Sequence, residues 1–100
     1  MRARIPIDRE KIAAFCRENH IHSLALFGSV LREDFRPDSD VDVLVEFEPG
    51  HVPGLRFIRM QEDLSHILGG RQVDLVTPKF LNRRIRDRVL ADAETQYARR

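Results

Sequence analysis

Two short motifs, set apart by a fixed interval, contain the residues best suited to chemistry. Gly28-Ser29 ends a short apolar run, and ten residues separate it from Asp40-Val41-Asp42. Alternate residues of a strand share a face, so Asp40 and Asp42 would lie about 6.5–7 Å apart at the backbone. Two such carboxylates repel each other and are costly to desolvate, so we expect a divalent cation to compensate them. Oxygen-only ligands favour Mg²⁺ or Mn²⁺.

The Gly28-Ser29 turn is suited to holding phosphate. Glycine lets a phosphate approach the backbone, and serine adds a hydroxyl donor to the free N–H groups at the start of a following helix. A metal and a phosphate cradle on adjoining elements supply the positioning and charge neutralisation that an in-line displacement at phosphorus needs. The pattern therefore predicts metal-assisted phosphoryl chemistry.

A third acid, Asp74, lies in the strand-like run Gln72-Val73-Asp74-Leu75-Val76. It could face the aspartate pair and bind a second metal, or it could act as general base for an attacking hydroxyl. Both roles stay open. An isolated Asp-x-Asp or Gly-Ser is common, so the prediction depends on their occurring together.

The elements that must position these residues alternate along the chain in the predicted order αβαβαβα. We expect a first helix from the Asp8 cap to about Asn19, with Ile12, Phe15 and Cys16 in its core stripe, and a short helix near Val30–Asp34. A longer helix should have Leu55, Ile58, Leu64, Ile67 and Leu68 on its apolar side and end at Gly69-Gly70, and a final helix should run from Thr77-Pro78 to about Tyr97. The three predicted strands are Ser23–Phe27, Val41–Phe47 and Gln72–Val76. The predicted fold class is α/β (α+β), a short three-stranded mixed sheet flanked by helices in a single domain, residues 1–100.

Composition excludes several classes of function. The 100 residues include 17 basic and 16 acidic ones, and the net charge of +1 does not support general nucleic-acid binding. Cys16 is the single cysteine, so an intramolecular disulfide is excluded and a reducing compartment is expected. No apolar run approaches the roughly 20 residues of a membrane helix, and we expect a cytoplasmic protein.

Other polar residues receive structural interpretations. Arg83, Arg84, Arg86 and Arg88 most simply form a solvated helix face, with Leu81, Ile85, Val89 and Ala93 turned to the core and Tyr97 as a packing anchor. Contact of these arginines with a partner or a nucleotide is the alternative. The four histidines, His20, His22, His51 and His66, lack the spacing of a zinc site and are assigned no chemistry.

The sequence from Phe27 to Gly50, which contains Gly28-Ser29 and Asp40-Val41-Asp42, resembles the main motif of the minimal nucleotidyltransferases. These belong to the superfamily with the DNA polymerase β-like core. The run Gly70–Pro78 is similar too, and the resemblance extends from about Phe15 to Tyr97. It implies a polymerase β-like nucleotidyltransferase fold.

The resemblance also implies a function. Members of this family are antitoxins of prokaryotic toxin–antitoxin pairs, and they can transfer AMP from ATP to a tyrosine of a HEPN-family toxin ribonuclease. Carried over by position, Asp40 and Asp42 would bind Mg²⁺, Asp74 would complete the acidic triad, Gly28-Ser29 would hold the triphosphate and Arg32 would be a further phosphate contact.

Larger relatives carry an additional lobe that selects the acceptor, and we expect these 100 residues to form a single domain without such a lobe. The acceptor hydroxyl would then come from the partner toxin. Two alternatives stay open: transfer to a small hydroxylated compound, as in nucleotidyltransferases that inactivate aminoglycosides, and an antitoxin that acts by binding alone.

Overall fold

The fold is built around one mixed β-sheet. The computed structural model describes residues 5–31, 36, 39–51, 53–81 and 83–98. In these residues the helices and strands are α1 (Arg9–Glu18), β1 (Ile21–Phe27), β2 (Val41–Phe47), α2 (Arg56–Ile67), β3 (Val73–Val76), α3 (Arg83–Asp92) and β4 (Glu94–Ala98). Two short 3-10 helices, Gly28–Leu31 and Pro78–Phe80, follow β1 and β3.

The sheet has the strand order β3-β2-β1-β4. β2 and β3 run parallel, whereas β1 is antiparallel to both of its neighbours, β2 and β4. The predicted α/β class and the mixed character of the sheet are confirmed. The predicted number of strands was wrong, because the described part of the chain has four rather than three.

The additional strand replaces the end of the predicted final helix. That helix stops at Asp92, and Glu94–Ala98 pairs with β1, with Leu24 opposite Tyr97. Without β4, one edge of β1 would leave backbone groups unpaired, and Thr95 and Tyr97 are residues that favour strands. Tyr97 does pack against the core as predicted, although it does so from a strand.

The predicted helices that follow β1 and β3 begin differently in the structure. The turn after β1 is a 3-10 helix at Gly28–Leu31 rather than a helix beginning near Val30, and residues 32–34 lie outside the described residues. Thr77-Pro78 opens a 3-10 turn that ends at Phe80, and α3 begins separately at Arg83. Proline suits the first position of either kind of helix, because a backbone N–H at that position would have no partner within the helix.

One face of the sheet forms the hydrophobic core. Val41, Val43 and Val45 of β2 are fully buried there, beside Leu24 and Leu26 of β1. The same cluster contains the buried residues of α1 and α2, namely Ile12, Phe15, Cys16, Met60 and Leu64. Since strand side chains alternate, the residues between these valines project from the opposite face, and Asp42 is one of them.

The ends of the first two helices agree with the sequence predictions. The Asp8 side chain accepts a hydrogen bond of 3.1 Å from the N–H of Lys11, which caps α1. After α2, the N–H of Gly70 donates to the carbonyl of Ser65 at 2.8 Å, so the Gly69-Gly70 pair ends this helix. No helix in the described ranges is long and apolar enough to cross a membrane.

The predicted apolar sides of α2 and α3 were partly wrong. Leu64, Ile67 and Leu68 contact or join the core, but Leu55 is 93% exposed and Ile58 is 63% exposed. Leu55 precedes the first turn of α2, and Ile58 is one residue away from the stripe that contains Phe57, Met60 and Leu64. In α3, Ile85 is 52% exposed and is therefore not a core residue.

Candidate active site

The backbone at Gly28 touches the carboxylate of Asp42. β1 ends at Phe27, whose partner across the antiparallel pair is Asp42, and Gly28 follows with a φ of +74°. A Cβ placed on Gly28 would overlap Oδ2 of Asp42 and would lie 3.2 Å from its Cγ. Glycine is therefore required here both by the backbone angle and by the close approach of the acid.

Asp42 and Asp74 are direct partners across the parallel strands β2 and β3. Adjacent strands lie about 4.8 Å apart, and partner residues project from the same face of a sheet. Asp42 is half-buried and Asp74 is exposed, while their neighbours Val41 and Val73 are buried on the other face. The expectation that the strand acids face each other is thus met for this pair.

Asp40 lies immediately before β2, exposed at the same end of the sheet. Its neighbour Val41 donates a backbone hydrogen bond of 2.8 Å to the carbonyl of Gln72, two residues before Asp74. This bond aligns the beginnings of β2 and β3. The two segments that carry the three aspartates are therefore fixed relative to each other by the backbone.

The structure describes only part of the predicted phosphate-binding site. Ser29 lies within the 3-10 helix Gly28–Leu31, directly after the Gly28 contact, but the structure does not describe its side chain. Arg32 lies outside the described residues. The roles predicted for both residues stay predictions.

The donor set of the aspartates fits a hard divalent cation. All three side chains offer carboxylate oxygens at one end of the sheet, and Mg²⁺ is usually held by one or two carboxylates together with waters and substrate phosphates. The oxygens of Asp40, Asp42 and Asp74 do not all approach within 4.8 Å of one another. A cation held by two of these carboxylates would take its further ligands from water and a nucleotide.

A second group of polar side chains lies at the opposite end of the sheet. Among the described residues, His20, Glu48 and His51 form the one group of three possible metal ligands whose ligand atoms all lie within 4.8 Å of one another. The sequence pattern predicts no chemistry for these histidines. Their separation along the chain gives no signal; only the antiparallel pairing of β1 with β2, which places Ile21 opposite Phe47, brings them together.

An apolar groove in the described part of the chain also lies away from the aspartates. It has a volume of about 930 Å³ and is lined chiefly by the apolar residues Phe47, Pro49, Pro53, Phe57 and Pro78. These residues follow the carboxyl ends of β2 and β3, whereas Asp42 and Asp74 lie near the beginnings of those strands. The candidate active site is accordingly the open end of the sheet where β2 and β3 begin, and not this groove.

A mixed sheet that aligns strand acids beside a Gly-Ser turn is an arrangement suited to nucleotide transfer. The model of the nucleotidyltransferase domain family matches residues 9–95, and this chain belongs to that family. Over 73 residues it is 41% identical to the protein adenylyltransferase MntA of Thermococcus cleftensis, a match that covers 72% of this chain and 71% of the relative.

Solved structures show the same fold. A provisionally named minimal nucleotidyltransferase superposes with a TM-score of 0.70 and 39% identity, over 85% of each chain. A chain from the complex of tri-AMPylated Shewanella oneidensis HEPN toxin with MNT antitoxin superposes with a TM-score of 0.59 and 20% identity, over 91% of this chain and 70% of that one. The second likeness concerns the fold alone.

Proposed function

We propose that this protein is the antitoxin of a HEPN/MNT toxin–antitoxin pair and neutralises its toxin by transferring AMP from ATP to a toxin tyrosine. The observation that carries the proposal is the Asp42–Asp74 pair on β2 and β3, with Asp42 held against Gly28. In a nucleotidyltransferase-family chain, this is where the triphosphate and its metal would be bound.

The names of similar proteins support the choice of acceptor. The Thermococcus cleftensis relative is named a protein adenylyltransferase. The Shewanella oneidensis complex contains an AMPylated HEPN toxin bound to its MNT antitoxin. A partner protein that presents its own tyrosine over the end of the sheet where β2 and β3 begin would complete a site whose acids are partly exposed.

The three aspartates would have different roles at this end of the sheet. Asp40 and Asp42 would hold Mg²⁺, and Asp74 would complete the triad as a further ligand or as the base. Gly28 and Ser29 would receive the triphosphate, and Arg32 would add a phosphate contact. Bound Mg²⁺ would neutralise charge on the triphosphate and on the departing pyrophosphate.

The transfer itself is a single displacement at the α-phosphorus of ATP. The tyrosine oxygen forms a bond to that phosphorus, the bond to the bridging oxygen of the β-phosphate breaks, and pyrophosphate leaves. The tyrosine proton passes to a base, for which Asp74 is the candidate within reach of the metal-binding acids. The toxin tyrosine is thereby converted to its AMP ester.

The test is to incubate the purified protein with ATP, Mg²⁺ and the toxin encoded next to it. Intact-mass spectrometry should show the toxin gaining whole AMP units. Asp42→Asn should slow this gain roughly a hundredfold or more, because even groups that only orient a metal ligand contribute about 10- to 100-fold.

A matched control is available on the same strand. Glu46 projects from the same face of β2 as Asp42 and is exposed, so Glu46→Gln makes the same carboxylate-to-amide change away from the acids and should leave transfer unchanged. If folded wild-type protein adds no AMP, the enzymatic proposal fails. If Asp40→Asn, Asp42→Asn protein still neutralises the toxin fully, neutralisation occurs by binding alone.

A further inference from the structure

The cluster formed by His20, Glu48 and His51 has the composition of a transition-metal site. Nδ1 of His20 lies 3.8 Å from Oε2 of Glu48. The rings of His20 and His51 are stacked, with centroids 4.0 Å apart and planes within 14° of parallel. Two imidazoles and one carboxylate therefore converge on a single small volume.

Backbone hydrogen bonds hold the three residues in place. His20 immediately precedes β1 and Glu48 immediately follows β2, and the N–H of Glu48 donates to the carbonyl of His20 at 2.9 Å. The N–H of His51 in turn donates to the carbonyl of Glu48 at 3.1 Å. The cluster is thus built on two paired strand ends and the turn that follows them.

The backbone of His20 is in an uncommon conformation. Its φ is +55°, and among the described residues it is the one non-glycine residue with a positive φ. Histidine adopts such angles more often than most residues, and a left-handed residue commonly follows the C-cap of a helix, as His20 follows Asn19 at the end of α1. Here the conformation turns the chain from α1 into β1 and places the imidazole beside Glu48.

The chemistry of these ligands points to zinc or a similar metal. Imidazole nitrogen suits Zn²⁺ and its transition-metal neighbours, whereas Mg²⁺ prefers oxygen ligands alone. Two histidines and one glutamate form a known zinc ligand set that leaves a fourth position for water. Ligand atoms around tetrahedral zinc are about 3.3 Å apart. The cluster must therefore contract, and the stacked rings must turn so that one nitrogen of each faces the ion.

The surroundings allow the rings to move in this way. The His20 side chain is 50% exposed, and a recess of about 270 Å³ borders both histidines. Arg56 also lines this recess and would oppose a cation, but Glu48 supplies a compensating negative charge next to the histidines. The recess gives the two imidazoles open space beside them.

We propose that His20, Glu48 and His51 bind Zn²⁺ or a similar divalent transition metal at a site separate from the aspartates. The metal links the ends of β1 and β2 to the turn that carries Gly50 and Pro53, residues that also line the large groove. Because the unfolded chain lacks this arrangement, bound metal stabilises the native protein by mass action.

The test is calorimetric titration of ZnCl₂ into chelator-treated full-length protein in buffer that contains excess Mg²⁺. One equivalent of Zn²⁺ should bind, and the melting temperature should rise. His51→Ala and Glu48→Gln should each weaken binding by about tenfold or more, since outer-shell changes alone cost that much at metal sites. His20→Asn keeps a residue that tolerates a positive φ and should have the same effect.

Three control variants define the outcome. His22 and His66 are exposed histidines outside the cluster, and His22→Ala and His66→Ala should bind Zn²⁺ as the wild type does. Asp42→Asn should also retain Zn²⁺ binding, so failure of the proposed transferase function leaves this test intact. Circular dichroism establishes that each variant is folded. No binding by wild-type protein at millimolar ZnCl₂, or unchanged affinity in folded His51→Ala and Glu48→Gln, overturns the proposal.

Discussion

At the residue scale, the tightest constraint in the candidate active site is the contact between the Gly28 backbone and the Asp42 carboxylate. A side chain at residue 28 would have to displace the acid or move the end of β1. The contact therefore couples the turn proposed to hold phosphate with one of the acids proposed to hold the metal.

Gly28→Ala tests this coupling. We expect the free energy of unfolding to fall by about 1–3 kcal/mol, because alanine is strained at a φ of +74°. We expect AMP transfer to fall as well, because the new methyl group displaces Asp42. Urea denaturation and the mass-spectrometric transfer assay measure the two effects.

Gly50→Ala is the matched control for this variant. Its φ is +81°, but a Cβ there meets nothing within 4 Å. Gly50→Ala should lower the free energy of unfolding through a similar backbone strain, and it should retain AMP transfer. Equal loss of transfer in both variants would mean that the close approach to Asp42 has no special importance.

Cys16 gives a pH prediction. Burial raises the pKa of its thiol from 9.0 to about 12, and the positive charge of Arg17 acts in the opposite direction. Above pH 9 the unfolded chain loses the thiol proton while the native protein keeps it, so stability is lost as pH rises through this window.

Between pH 8 and pH 10 the loss due to this thiol should be about 1.5 kcal/mol. Cys16→Ala removes the titrating group, so the wild type should lose more stability than the variant over this interval. Urea denaturation at the two pH values measures the difference. Parallel losses in both proteins would show that the thiol is not protected in the native state.

At the scale of elements, β3 depends on α2 for its position. β3 has only four residues and lies at one edge of the sheet. Oε1 of Gln61 on α2 accepts a hydrogen bond of 3.0 Å from the N–H of Leu75, the residue after Asp74. A helix side chain thereby secures the strand that carries the third acid.

Gln61→Leu should lower the free energy of unfolding by about 1–3 kcal/mol, the range expected when a partly buried N–H loses its partner. It should also slow AMP transfer through a displaced Asp74. Glu62→Ala, an exposed change on the same helix, should do neither. Transfer at the wild-type rate in a destabilised Gln61→Leu protein would separate the strand's stability from its role in the site.

How far the sequence predicts these elements depends on how distinct each local pattern is. The alternating valines of β2 and the Asp8 cap of α1 have one simple interpretation, and both predictions were confirmed. The repeat Val89–Ala93–Tyr97 fits a helix as well as a helix followed by a strand, and only the open edge of β1 decides between them.

The candidate site shows the same limit. Asp40, Asp42 and Asp74 could be proposed because strand alternation is local, and the parallel pairing of β2 with β3 was needed to make Asp42 and Asp74 partners. The zinc cluster proposed above could not be found in this way. His20 and Glu48 are distant in sequence and meet only through the antiparallel register of β1 and β2.

At the scale of the whole molecule, the two proposed metal sites lie at opposite ends of β2. Asp42 and Glu48 are six residues apart along an extended segment, or about 20 Å. Sites more than about 7–10 Å apart that share no partners usually act independently.

We therefore expect Zn²⁺ to raise the stability of Asp42→Asn protein as much as that of the wild type, within about 0.5 kcal/mol. Urea denaturation of both proteins, with and without ZnCl₂, closes the thermodynamic cycle. A larger difference would reveal coupling along the sheet between the aspartates and the histidine cluster.

The pairing of β1 with β4 also has a kinetic consequence. Ser23 is opposite Ala98, so the pairing joins strands that are far apart along the chain. Closing so long a loop costs entropy before its contacts form, and such nonlocal pairing slows folding. Until β4 docks, β1 presents an open edge that can pair with another chain. A newly made molecule is therefore most prone to self-association in the interval before residues 94–98 reach the sheet.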